Sequence, residues 1–137
     1  MTSVAIAATA AALLLGVALA FQISLALGAP LGEATMGGRA RTVDGVLAPG
    51  FRLLAAASAL LLAIAAWVVL ARAGVVDAAP VNATIVVWGT VAVAAFMGLN
   101  TLSNLSGRHP LERWGMGSIT LLTTVLVAYV ALAAPAI

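Results

Sequence analysis

The chain contains no cysteine and very few charged residues. Without cysteine it cannot form a disulfide, use a thiolate nucleophile, or hold an iron–sulfur cluster or a cysteine-based zinc site. Charged residues make up only 7% of the 137 residues, against about 25% in typical soluble proteins. Since so few charges cannot cover a globule of this size with polar surface, we expect the chain to be dissolved in lipid.

Charges are also missing from the middle of every long apolar segment. Proton-coupled pumps and voltage sensors usually need ionisable residues at that depth, so both classes are disfavoured. No paired carboxylates and no Ser-His-Asp set are present, and the single histidine, His109, has no second ligand with which to share a metal. The sequence therefore predicts no metal site and no cofactor. It also predicts no nucleic-acid binding, because membrane topology explains the few arginines.

Four apolar segments cover most of the chain, at about 4–27, 51–71, 81–102 and 114–134. Each is close to the ~20 residues that a helix needs to span a bilayer. All five prolines fall at segment ends, where helices tolerate them. The first segment resembles a signal peptide around Ala18–Ala20, but Met1–Ser3 lacks a basic residue, so we expect a retained helix. The predicted fold is a single domain, 1–137, that is an all-α membrane protein: a four-transmembrane-helix bundle with short loops.

The arginines predict the orientation of this bundle. Five of the six basic residues lie in or beside the first and third connections; they are Arg39, Arg41, Arg52, Arg108 and Arg113. Only Arg72 lies on the other side. The positive-inside rule therefore predicts a multi-pass protein of the cytoplasmic membrane, with the glycine-rich 28–50 loop inside and both termini outside. The exclusive use of arginine and the abundance of alanine indicate a bacterial source.

Small residues recur at four-residue spacing along the first helix, at Ala8, Ala12, Gly16, Ala20, Ser24 and Gly28. Such a ridge lets helices approach closely in lipid. Close packing within the bundle is the first interpretation, and a seam between two copies is the alternative. Trp88 lies deep in the third segment, so we expect it to pack between helices.

Polar residues gather near the predicted cytoplasmic ends of the helices. They are Gln22, Arg52, Asn100, Asn104, Glu112 and Arg113. Because the four helix ends meet at one face, these side chains form a candidate binding site for a headgroup or an acidic metabolite. The plainer interpretation is that they cap helices, meet lipid phosphates and set topology. In that interpretation Arg108 pairs with Glu112 at four-residue spacing, and Gln22 bonds a neighbouring helix.

Several short motifs resemble those of a family of small four-span bacterial, actinobacterial-type integral membrane proteins. In the first half they are Gln22, the segment 26–32 (ALGAPLG), Gly37-Gly38, Leu47 and Arg52; in the second half they are Leu99-Asn100, the segment 104–106 and the segment 112–115. The chain differs at Met36, where the family has an aromatic residue, and at Gly115-Met116, where it has a proline. The family has no assigned activity, so the resemblance implies the architecture and orientation and carries no catalytic role.

Three functions remain open from the sequence. The first is a non-enzymatic accessory or lipid-like-ligand-binding protein, whose partners are the bilayer and either another membrane protein or a second copy of the chain. The second is a small oligomeric transporter or channel, built on a polar stripe of Gln22, Asn100, Ser118, Thr120, Thr123 and Thr124. The third is a membrane enzyme that acts on a lipid headgroup through Glu112 and the arginines. Because no general base has a visible partner, the third is ranked last.

Overall fold

The computed structural model describes residues 1–135 and consists of long helices joined by short connections. Helix α1 spans Ser3–Ala26, α2 spans Pro49–Arg72, α3 spans Ala83–Leu105 and α4 spans Gly117–Ala133. A π-helical turn, Leu111–Met116, leads directly into α4. Four helices in this part of the chain are long and apolar enough to cross a membrane, the fourth being α4 together with the π turn, Leu111–Ala133. This confirms the prediction of an all-helical chain with four candidate spans.

The helices form an antiparallel bundle in which each packs against its neighbours in chain order. The contact of α1 with α2 and that of α3 with α4 are the most extensive, α1 also packs on α4, and α2 touches α3 least among these pairs. Buried alanines and valines, including Ala8, Ala11 and Val127, fill the core near the N-terminus, and Leu15 and Met97 fill its middle. Small residues bring the α1 backbone close to its neighbours, as packing in lipid favours.

The predicted four-residue ridge on α1 is only partly correct. Ala8 is fully buried, but Ala20 is exposed, and a Cβ at Gly16 would meet no atom within 4 Å. The buried face instead alternates steps of three and four residues, as in Ala11, Leu15 and Ala18. A step of four residues exceeds the ~3.6 residues of one turn, so a strict four-residue ridge drifts around the helix and leaves the interface.

The expectation that Trp88 packs between helices is wrong. Its side chain is 67% exposed on the outer surface of the bundle. Val86 and Thr90, which flank it at two residues' distance, are fully buried. Because two residues correspond to ~200° around a helix, Trp88 points away from the core and toward the surroundings of the bundle.

The 27–48 loop between α1 and α2 contains short elements of regular secondary structure. Two short 3₁₀ turns, Gly32–Ala34 and Met36–Gly38, precede an antiparallel hairpin of β1, Thr42–Val43, and β2, Val46–Leu47. Gly32 packs against the hairpin so closely that a Cβ there would lie 2.8 Å from the Gly45 carbonyl oxygen. The hairpin is thereby folded back onto the first 3₁₀ turn, and Leu47 is buried against the helices.

Candidate binding cavity

The end of the bundle that carries the 27–48 loop and the 106–110 turn, here called the loop end, contains a polar cavity. Its volume is about 70 Å³ and all four helical segments contribute to its walls. Its polar lining consists of Gln22, Thr35, Ser58, Asn100, Asn104 and Thr120. Within the described residues no charged side chain lines it. Aromatic and thioether side chains, including Phe21 and Met97, complete the wall.

Gln22 is the polar residue of α1 that faces this cavity. Its Oε1 atom is buried and has no hydrogen-bond partner within residues 1–135. The sequence-based expectation of a hydrogen bond to a neighbouring helix is therefore not met by this oxygen. An unpaired buried amide oxygen costs about 1–3 kcal/mol, so this atom is poised to accept a hydrogen bond from a molecule in the cavity.

Asn100 and Asn104 bring two more amides to the cavity from successive turns of α3. The Asn100 Nδ2 donates to the Phe96 carbonyl oxygen at 3.0 Å, and the Asn104 Nδ2 donates to Thr120 Oγ1 at 3.4 Å. Each amide thus uses one of its two N–H groups within the protein. Both residues line the cavity, and an asparagine side chain also carries a carbonyl oxygen that can accept hydrogen bonds.

The loop closes the cavity on the side away from the helices. Ala34 and Thr35 line the cavity, and their exposures are only 2% and 7%. Beside them, the Gly37 backbone N–H donates to Glu112 Oε1 at 2.7 Å, across a sequence separation of 75 residues. Segment 34–37, here called the lid, is thereby attached to the π turn before α4.

Glu112 itself is 2% exposed, and its second oxygen, Oε2, is buried with no hydrogen-bond partner among the described residues. The predicted pairing with Arg108 is wrong, because Arg108 is exposed and Glu112 bonds the lid instead. The wide π turn rotates the carboxylate inward, where it meets Gly107 so closely that no Cβ would fit there. The residue named as a headgroup ligand thus supports the lid.

Arg52 and Arg113 lie outside the cavity. The Arg52 Nε donates to the Ala26 carbonyl oxygen at 2.9 Å, so Arg52 caps the C-terminal end of α1. Arg113 lies on the surface with its guanidinium carbon 5.1 Å from the centroid of the Trp114 ring, within cation–π range. Of the six predicted site residues, only Gln22, Asn100 and Asn104 share the cavity.

The residues of the predicted polar stripe do not all line the cavity. Thr123 Oγ1 donates to the Ile119 carbonyl oxygen and Thr124 Oγ1 to that of Thr120, each at 2.8 Å. Ser118 is exposed and bonds the Trp114 carbonyl oxygen. Hydroxyls that bond the preceding turn of their own helix are satisfied locally, and only Thr120 of these residues on α4 reaches the cavity.

Thr35 and Ser58 belong to the cavity but were not among the predicted site residues. Ser58 is a lone hydroxyl in an apolar segment, which is the only sequence signal that marks it. Thr35 carries no such signal, since its place depends on how the 27–48 loop folds.

Comparison with protein-family models, with curated proteins and with solved structures finds no match for this chain.

Proposed function

We propose that the chain is a non-enzymatic membrane protein that binds a lipid-like ligand, with the ligand's polar group in the loop-end cavity. The observation that carries this proposal is the buried Gln22 Oε1, which has no hydrogen-bond partner among residues 1–135, in a polar cavity shared by all four helical segments. Buried polar atoms in proteins are nearly always paired. A ligand with a hydroxyl or amide donor supplies the missing partner.

The lining favours a neutral polar group over a charged one. An ion transferred into a poorly hydrated site without an opposite charge is strongly disfavoured. The polar lining consists of amides and hydroxyls, and the nearby arginines Arg52 and Arg113 are engaged elsewhere. The lining therefore does not suit an acidic metabolite.

A Gln22→Leu variant tests this proposal by separating stability from binding. Leucine removes the unpaired amide, so the ligand-free variant should be more stable than the wild type by about 1 kcal/mol. The wild type should be further stabilised by the total lipid extract of its source membrane, by about 2.7 kcal/mol at a hundredfold excess over Kd. The variant should lose most of that gain. Thermal unfolding in detergent, with and without the extract, measures both effects.

The matched control is Ser103→Leu, which also replaces a polar residue near the end of α3 but at an exposed position outside the cavity. The lipid extract should stabilise this control variant against thermal unfolding as much as it stabilises the wild type. If the Gln22 variant and the wild type gained the same stability from the extract, the cavity would not be the binding site.

We further propose that the protein resides in a bacterial cytoplasmic membrane with the loop end inside and both termini outside. The arginine distribution supports this orientation. A membrane-impermeant maleimide applied to intact cells should label Val75→Cys, in the 73–82 connection, and should reach Val43→Cys, in the hairpin, only after the cells are permeabilised. The reverse pattern would invert the proposed topology.

A further inference from the structure

An apolar groove on the seam between α2 and α3 leads toward the loop-end cavity. Its volume is about 250 Å³, and its walls include Leu61 and Val68 of α2 and Gly89 and Ala92 of α3. Phe96 lines both the groove and the cavity. The two spaces therefore have one lining side chain in common; the cavity is partly polar and the groove is almost wholly apolar.

The two helices approach closely at the end of the groove farthest from the cavity, and the groove is open to the surface. Near the N-terminal end of α3 the two helices approach so closely that a Cβ at Gly89 would lie 3.2 Å from Val68 Cγ1. From Gly89 to Phe96 the groove extends for seven residues of helix, about 10 Å at the usual rise. The loose contact between α2 and α3 leaves it accessible from the surroundings of the bundle.

We infer that the ligand is a single-chain amphiphile with a neutral head that carries hydroxyl or amide donors. Its head occupies the cavity and its chain lies in the α2–α3 groove, which it enters laterally from the bilayer. This inference rests on the proposed function and adds the class of ligand and its route. The shared wall at Phe96 and the uncharged polar lining together carry it.

The depth of the cavity distinguishes this ligand from ordinary surrounding lipid. Asn100 lies five residues before the end of α3 at Leu105, about 7.5 Å along the helix axis. The head of a surrounding lipid stays at the membrane surface, beyond the helix ends. A head that reaches Asn100 and Gln22 is held inside the bundle by specific hydrogen bonds, so its binding is saturable and depends on those amides.

Three matched probes test the inference on the full-length chain in detergent: monolaurin, laurate and glycerol. Monolaurin has the neutral head and the chain, laurate has the same chain with an anionic head, and glycerol is the head alone. We expect one monolaurin to bind per chain, at least about tenfold more tightly than laurate or glycerol. The loss of only two buried methylenes already corresponds to about tenfold in affinity. Native mass spectrometry across a concentration series measures the three affinities.

Two alanine positions on α3 provide the matched variants. Ala92→Phe fills the groove, whereas Ala95→Phe adds the same side chain at an exposed position outside it. Monolaurin should bind at least about tenfold more weakly to the first variant and normally to the second. Since both alanines are exposed, both variants should keep the unfolding temperature of the wild type.

The possible failures are distinguishable. If glycerol bound as tightly as monolaurin, or if Ala92→Phe had no effect, the groove would not hold a chain, although the cavity would remain a binding site. If laurate bound as tightly as monolaurin, the neutral head would be wrong. If all three probes associated without saturation and equally with every variant, including Gln22→Leu, the ligand class and its route would both be overturned. The proposed function would be decided separately, by the response of the chain to the native lipid extract.

Discussion

Replacing Arg72 with leucine is expected to destabilise the chain by about 3 kcal/mol, since hydrogen bonds to charged groups contribute roughly 1.5–3 kcal/mol each. Arg72 is only 5% exposed at the C-terminal end of α2. Its Nη1 donates to the Pro135 carbonyl oxygen at 2.7 Å and its Nη2 to that of Ala134 at 2.8 Å. Both carbonyls follow directly after Ala133, the last residue of α4. The positive charge of Arg72 is also stabilised by the negative C-terminal end of the α4 dipole.

Two other arginines calibrate this effect. Arg52→Leu removes a single hydrogen bond to the end of α1, so it should lower the free energy of unfolding by roughly half as much as Arg72→Leu. Arg41→Leu changes an exposed residue, so its free energy of unfolding should be within ~0.5 kcal/mol of the wild-type value. Thermal unfolding in detergent ranks the three variants. Equal stability of Arg72→Leu and Arg41→Leu would mean that the cap on α4 contributes nothing.

Removing the Glu112 side chain is expected to release the lid. The hydrogen bond between Glu112 Oε1 and the Gly37 N–H joins the lid to the π turn, and its loss should shift the lid toward an open state by roughly tenfold or more. The absence of native cysteine allows a direct measurement. With Thr35→Cys as the only thiol, labelling by a water-soluble maleimide should be slow in the parent chain and at least about tenfold faster after Glu112→Ala.

The control thiol is Val43→Cys in the hairpin, where the native side chain is 69% exposed. Its labelling should be fast and unchanged by Glu112→Ala. Ala11→Cys, at a buried helical position, should remain protected from labelling after Glu112→Ala. Faster labelling there would indicate a global loss of structure instead. Slow labelling of Thr35→Cys in the presence of Glu112→Ala would show that the lid is held by other contacts.

The helices were predictable because hydropathy alone dictates them. Long apolar segments with no interior charge have one stable form in lipid, in which each backbone group is bonded within its own helix. The boundaries were less predictable, since α4 is preceded by the π turn Leu111–Met116, which begins three residues before the predicted start at Trp114. Hydropathy does not say which face of a helix is buried, so the sequence misplaces Trp88 and part of the ridge on α1.

Half of the candidate site was predictable in the same way. Gln22, Asn100 and Asn104 are amides close to the same end of apolar helices, and they meet because helix ends meet. Arg52 departs from the cluster because a long guanidinium side chain reaches the carbonyls of a neighbouring helix end. Thr35 and the role of Glu112 depend on the fold of the 27–48 loop, whose contacts join residues far apart in sequence and leave no periodic pattern.

Native mass spectrometry of the chain extracted gently from its own membrane tests the central claim most directly. We predict one small molecule bound per chain, with the mass of a neutral single-chain amphiphile, and its absence from Gln22→Leu prepared in the same way. A wild-type chain that carried no small molecule, or one retained equally by Gln22→Leu, would contradict the account.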